Sequence, residues 1–203
     1  MRVPVKKKLP PALLWLLLSL PAAFLVWRGA RGEAADLEDL LQPTGEMSVR
    51  LIILALAVTP LVRLFPKARA VRWLLRHRRA IGVAAFGYAL LHTIFYILAM
   101  GSIDNMLAEL GATGIWTGWV AFALMLPVAV TSNDMAQRAL RAGWKRVQKL
   151  AYPVALLTLV HWIFVHGGST SALLHFAPLA ILQALRIARR PKAPATTHGD
   201  FHA

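Results

Sequence analysis

Residues 80–103 read AIGVAAFGYALLHTIFYILAMGSI, a run with no Asp, Glu, Lys or Arg and with a histidine at its middle. A helix needs about 20 apolar residues to cross the hydrocarbon core of a bilayer, and this run is long enough. Arg78 and Arg79 bound it on one side and Asp104 on the other. Working outward, further charge-free runs lie at 9–27, 51–62, 110–133, 150–166 and 167–185. The run 51–62 is short, but it reaches spanning length if Arg50 and Arg63 snorkel to the headgroups at its ends. The last two runs abut, and Gly167-Gly168-Ser169 supplies the turn between them. The expected fold is an all-α membrane protein, a bundle of six transmembrane helices.

The charges test that count. Twenty of the 23 Lys and Arg residues fall in four segments: the N-terminus, 63–79, 138–149 and 186–192. Six crossings put all four on one side. The opposite side receives Glu33, Asp36, Glu38, Asp39, Glu46, Asp104 and Glu109. Basic loops stay in the cytoplasm, so both termini are expected there. A re-entrant hairpin at 51–62 would bring the acidic 33–46 segment and the basic 63–79 segment to one face, against this split. Lys6-Lys7-Lys8 before Leu13–Ala23 resembles a signal peptide. Its removal would separate the termini, so an uncleaved first helix is expected. Residues 1–190 then form one transmembrane domain. Residues 191–203, rich in Pro, Thr and His, read as a disordered cytoplasmic tail.

Composition agrees. The chain is 58% hydrophobic and 16% charged, against about 25% charged residues in an average soluble domain. The net charge of +14 comes from short basic clusters between apolar runs, a pattern of membrane lipid contact rather than nucleic-acid binding. Cysteine is absent, which excludes disulfides, thiolate metal sites, iron–sulfur clusters and covalent haem attachment. Any metal cofactor must be held by nitrogen or oxygen, and seven histidines are available.

Ionisable residues within membrane helices are costly and usually mark function. His92 stands eleven residues into the third span counted from Ile81, and His161 eleven into the fifth counted from Leu150. Both helices run outward, so both imidazoles reach about 16 Å along their axes at about 1.5 Å per residue. Matched depth on parallel-running helices is what a bis-histidine haem requires, one neutral ring nitrogen on each face of the iron. The competing reading is that each histidine bonds a neighbour and specifies packing. Tyr88 and Tyr96 share the His92 helix face at four-residue spacing, and Ala85 and Ala89 allow close approach. Tyr96 and Trp162 read as belt or packing residues. His166 and His175 sit near the outer surface, His77 among Arg76, Arg78 and Arg79 reads as a solvated loop residue or as a neighbour of a lipid or flavin phosphate, and His198 and His202 lie in the tail. There is no dinucleotide fingerprint, phosphate loop or His-Glu-x-x-His, and the sequence shows no internal repeat. The chain reads as an electron conduit whose donor and acceptor are other molecules.

Several stretches carry a resemblance. They are Thr44-Gly45-Glu46, Ala57-Val58-Thr59-Pro60-Leu61, Arg78-Arg79-Ala80-Ile81-Gly82 leading through Tyr88 to His92, Gly118-Trp119, Thr131-Ser132-Asn133-Asp134, and Trp144-Lys145-Arg146 leading through Tyr152 to His161-Trp162. In order and spacing, over residues 10–190, the chain resembles the MsrQ/YedZ family, the haem-binding membrane subunits of the bacterial periplasmic methionine-sulfoxide reductase system. These belong to the ferric-reductase-like transmembrane group. The resemblance implies an inner-membrane subunit that takes electrons from the quinone pool or a flavin reductase. It passes them through haem b to a periplasmic molybdopterin-containing partner, which reduces methionine sulfoxide in oxidised envelope proteins. It implies an electron-transfer rather than a catalytic subunit, and an association with FMN for which the sequence gives no site. Carried onto this chain, the cofactor-binding candidates are His92, His161, Tyr88 and Arg79, with His92 and His161 as the metal ligands.

One departure bears on cofactor number. The family usually has a second histidine thirteen residues before the one matching His161, and this chain has Gln148 there. Thirteen residues before His92 stands Arg79. Neither is a good haem ligand, so the outer haem keeps both ligands while an inner one lacks its own, with His77 as the remaining replacement. The other readings are a stand-alone haem-containing ferric reductase, and a non-redox transporter or scaffold that uses its histidines for packing or proton movement.

Overall fold

A computed structural model describes residues 11–32, 37–165 and 168–188. Among these residues the chain is helical with no strand. The elements are α1 (Pro11–Ala30), α2 (Glu38–Leu64), α3 (Arg69–Met100), α4 (Ile103–Glu109), α5 (Thr113–Val130), α6 (Asp134–Leu140), α7 (Ala142–Gln148), α8 (Ala151–Val165) and α9 (Ser169–Ala188). Six helical segments are long and apolar enough to cross a membrane: α1, α2, α3, α5, α7 continuing into α8, and α9. The chain is a multi-pass membrane protein. The basic N-terminus, the 191–203 tail, Glu33, Asp36, His166 and Gly167 lie outside the described residues.

Two helix pairs form the centre, α2 against α3 and α5 against α8. The pairs meet where α3 approaches α5 and α2 approaches α8. Helix α9 closes the bundle against α2 and α8, and α1 lies outside against α3 and α2. Leu56, Ile81, Ala85, Val154 and Ala172 are in the buried core that joins these helices. Helix α2 is the most enclosed of the six spans and α1 the least. The outward faces of α1 carry exposed Leu16, Leu17, Leu20, Phe24 and Val26, as lipid contact requires.

Helix α2 is much longer than its charge-free run 51–62. Its added turns are polar in sequence yet well packed. Thr44 is fully buried and donates to the carbonyls of Leu40 and Leu41 at 2.7 and 2.9 Å. Buried Ser48 donates to the Ala85 carbonyl of α3 at 2.9 Å. Glu46 and Arg50 pair with each other one turn apart and leave the packed face to the small residues.

The short helices α4, α6 and α7 have no counterpart among the six expected spans. Their starts are nonetheless local chemistry. Ser102 caps α4 by accepting from the Asn105 N–H at 3.2 Å, and Asn133 caps α6 by accepting from the Ala136 N–H at 2.8 Å. Gly101 ends α3 in the left-handed conformation, at φ 68°, which glycine adopts without strain.

Candidate functional site

The structure brings His92 of α3 and His161 of α8 together. Their ring centroids are 6.1 Å apart and their planes cross at 89°. Both rings line a cavity of about 660 Å³, within the usual range for organic ligands and cofactors. Ala89, Ala121, Phe122, Met125 and Trp162 line it as well, and Asp39, Glu46 and Glu109 stand at its acidic end.

Each histidine is held by its neighbouring helix. The His92 Nδ1–H donates to the Leu41 carbonyl of α2 at 2.9 Å, and the His161 Nδ1–H donates to the Gly114 carbonyl of α5 at 2.7 Å. A carbonyl only accepts, so both Nδ1 atoms carry the proton. A neutral ring then has its lone pair on Nε2, the form a metal ligand needs, with the Nδ1 bond fixing tautomer and orientation. Four residues after each accepting carbonyl stands a glycine. A Cβ on Gly45 would lie 3.1 Å from His92 Nδ1, and one on Gly118 would lie 2.6 Å from His161 Nδ1. Before each glycine stands a buried threonine that bonds back to the same carbonyl: Thr44 to Leu41, and Thr117 to Gly114 at 2.9 Å. The two helix pairs therefore repeat one local unit, Thr-Gly on the first helix and His on the second. The sequence hides this repeat because the shared residues are so few.

This geometry suits a flat macrocycle. Two metal–imidazole bonds of about 2.0 Å, plus the distance from each nitrogen to its ring centre, place the centroids about 6.3 Å apart. The observed 6.1 Å is close to that. Among the described residues no three His, Asp or Glu side chains converge as a metal cluster. A bare ion would be poorly held by two imidazoles, whereas haem brings four nitrogens of its own and needs only the axial pair.

The other sequence candidates lie elsewhere. Tyr88 is not among the cavity-lining residues. Its hydroxyl donates to the Leu18 carbonyl at 2.8 Å and accepts from the Ala22 N–H at 3.1 Å, inserting into the α1 ladder beside Pro21. It is the polar anchor of α1. Tyr88→Phe is expected to lower thermal stability by about 1–2 kcal/mol and to leave haem content unchanged. Thermal melting and haem absorbance on one preparation check this, and a fall in haem without loss of stability would return Tyr88 to the cofactor set. Tyr96, read as a belt residue, lines the cavity and meets Trp119 edge-on at 6.2 Å. Trp162 is buried and packs against His175 with ring centres 4.9 Å apart. The His175 Nδ1–H donates to Ser171 of its own helix at 2.8 Å.

Arg79 sits at the opposite end, bonded to Asp134 and Gln137 and 5.5 Å from the centre of the Trp144 ring. Hydrogen bonding to Arg79, then its charge, holds the exposed Asp134 carboxyl below its ordinary value. The carboxylate form is thus favoured at neutral pH, and the tie is lost only as pH falls through that lowered value. Gln148 Nε2 donates to the Val128 carbonyl and Thr131 Oγ1, both at 3.1 Å, and Trp144 Nε1–H donates to the Thr131 carbonyl at 2.8 Å. The Thr131–Asp134 stretch is therefore a junction that ends α5, caps α6 and ties both to α3 and α7. The His77 Nδ1–H donates to the Trp73 carbonyl one turn back at 2.8 Å.

Comparison with known proteins agrees with this architecture. The family described as "Ferric reductase like transmembrane component" matches residues 44–159, a span that contains Thr44, Gly45, His92, Gly118 and Gln148 and stops just before His161. The protein-methionine-sulfoxide reductase heme-binding subunit MsrQ of Caulobacter vibrioides is 34% identical over 182 residues, covering 86% of this chain and 85% of the relative. The MsrQ of Ralstonia nicotianae is 33% identical, covering 85% of this chain and 82% of the relative. That of Xanthomonas axonopodis pv. citri is 31% identical, covering 87% and 85%. No solved structure gives a significant match. The family match spans the central helix pairs and the relatives extend along most of the chain: this chain belongs to the ferric-reductase-like transmembrane family and, within it, to the MsrQ family.

Proposed function

We propose that the chain is the haem-binding electron-transfer subunit of a membrane methionine-sulfoxide reductase system. The observation that carries this reading is the facing pair His92 and His161, each with Nδ1–H committed to a backbone carbonyl. These two side chains would hold the haem, a haem b, through their Nε2 atoms. The haem iron supplies one-electron chemistry, alternating between ferric and ferrous states. The chain's part is to fix both imidazoles, to enclose the site with Ala, Phe and Met side chains, and to set its depth. Asp39, Glu46 and Glu109 come from the acidic end of the bundle. With the basic end in the cytoplasm of a bacterial inner membrane, the site lies toward the periplasm.

Electrons enter from the quinone pool or a flavin reductase, with FMN as a further carrier. They leave at the acid-rimmed mouth for a periplasmic molybdopterin-containing partner. Reduction of methionine sulfoxide consumes two electrons and two protons and yields the thioether and water. The chain therefore serves the partner twice per turnover. A single haem is favoured because Gln148 and Arg79 are engaged in structural ties at the basic end, and neither they nor His77 line the cavity.

The test uses purified protein in lipid nanodiscs. Quinol, or a flavin reductase with its nicotinamide donor, is expected to reduce the haem band, and the periplasmic partner with a sulfoxide substrate to reoxidise it. A haem band that no such donor reduces, or that the partner leaves reduced, contradicts the assignment.

A further inference from the structure

At the basic end of the bundle four helices meet around two arginines that electron transfer leaves unused. Arg78 of α3 donates through Nη1 to Thr59 Oγ1 of α2 at 3.2 Å. Arg186 of α9 donates through Nη1 to Tyr152 Oη of α8 at 3.0 Å and to Gln183 Oε1 at 3.2 Å. Gln183 in turn donates to the Leu56 carbonyl of α2 at 3.4 Å. The two guanidinium groups are near enough for their charges to repel, with Tyr152 beside them. Both side chains are partly buried.

Their hydrogen-bond acceptors are neutral. Among the described residues neither arginine has a carboxylate partner. Asp134 is the acid that the described chain carries at this end, and Arg79 holds it. Arg186 Nε is buried with no acceptor among the described residues. A cation taken from water calls for a counter-ion, and two adjacent ones call for it more strongly. A guanidinium presents its donors as a planar fork, which matches the oxygens of a phosphate group. The cluster also lies at the end of the spans, where cytoplasmic-leaflet phosphates and soluble phosphoesters both reach.

We propose that Arg78 and Arg186 form a phosphate-binding site at the cytoplasmic end of α2, α3, α8 and α9, with the Tyr152 hydroxyl as its third polar group. The anion neutralises both guanidiniums, takes the Arg186 Nε–H, and fastens α9 to α3. The same oxygens come from an anionic lipid headgroup or from a soluble phosphate, and the experiment separates these sources.

Native mass spectrometry of the delipidated full chain is run with phosphatidylglycerol and, separately, with inorganic phosphate. Wild type, Arg78→Gln, Arg186→Gln and the exposed control Arg76→Gln are compared, after circular dichroism and gel filtration show each to be folded. The expected result is one saturable adduct in wild type and Arg76→Gln, weakened about tenfold or more in both site variants. Phosphatidylglycerol adducts alone assign the site to the headgroup, and phosphate adducts assign it to a soluble phosphoester. Wild-type protein that binds neither probe overturns the proposal whatever the variants do. So does an adduct that survives unchanged in Arg78→Gln or Arg186→Gln.

Discussion

Replacing either His92 or His161 by alanine is expected to lower haem per purified chain at least about tenfold, the lower end of the range seen when even an outer-shell partner of a metal ligand is lost. The reason is the economy of the site. Among the described residues there is no third His, Asp or Glu near enough to complete a metal cluster. The remaining histidine would hold the haem from one face only. The other described histidines, His77 and His175, do not line the cavity. His77→Ala and His175→Ala are therefore expected to keep wild-type haem content. Haemochrome spectra on all four variants check the pattern. Undiminished haem in His92→Ala and His161→Ala would leave the paired imidazoles as packing elements.

The second large effect is expected at a residue with no side chain. A Cβ at position 118 would lie 2.6 Å from His161 Nδ1 and 2.8 Å from Cε1, inside any real contact. The ring would have to move, and the movement would break its 2.7 Å bond to the Gly114 carbonyl. Overpacking of this kind costs about 1–3 kcal/mol, and here it falls directly on the ligand. Gly118→Ala should therefore lose most of the haem or shift its spectrum away from the bis-imidazole form. Gly45→Ala places its Cβ 3.1 Å from His92 Nδ1, a contact that a slight shift relieves. It should retain most of the haem. Haem content and low-temperature electron paramagnetic resonance of the two variants give the ranking. A Gly118→Ala protein with wild-type haem and spectrum would show that the ring is not seated where the structure places it.

The six spans were readable because lipid imposes a simple rule, about 20 uncharged residues per crossing, and the loops carried opposite charges on opposite sides. The meeting of His92 with His161 was readable because depth can be counted from those charge boundaries. The start of α2 was not. Thr44, Gly45 and Ser48 look like loop residues, and only their packing against α3 shows why small polar side chains belong in a buried helix. Tyr88 shares the His92 face by spacing, yet its hydroxyl is spent on α1, because a proline-interrupted helix offers it a carbonyl and an N–H. The roles of Gly45 and Gly118 were hidden for a related reason. Each glycine acts on a histidine far along the chain, 92 for 45 and 161 for 118, across a helix contact that periodicity within one helix cannot reveal.

His92 and His161 are proposed to hold one haem between them. This is tested most directly by the haem-to-protein ratio of detergent-purified wild-type protein, measured with its electron paramagnetic resonance spectrum. About one haem per chain is expected, low-spin with two imidazole ligands. A ratio near two, a high-spin spectrum, or protein that takes up no haem when haem is plentiful would contradict it.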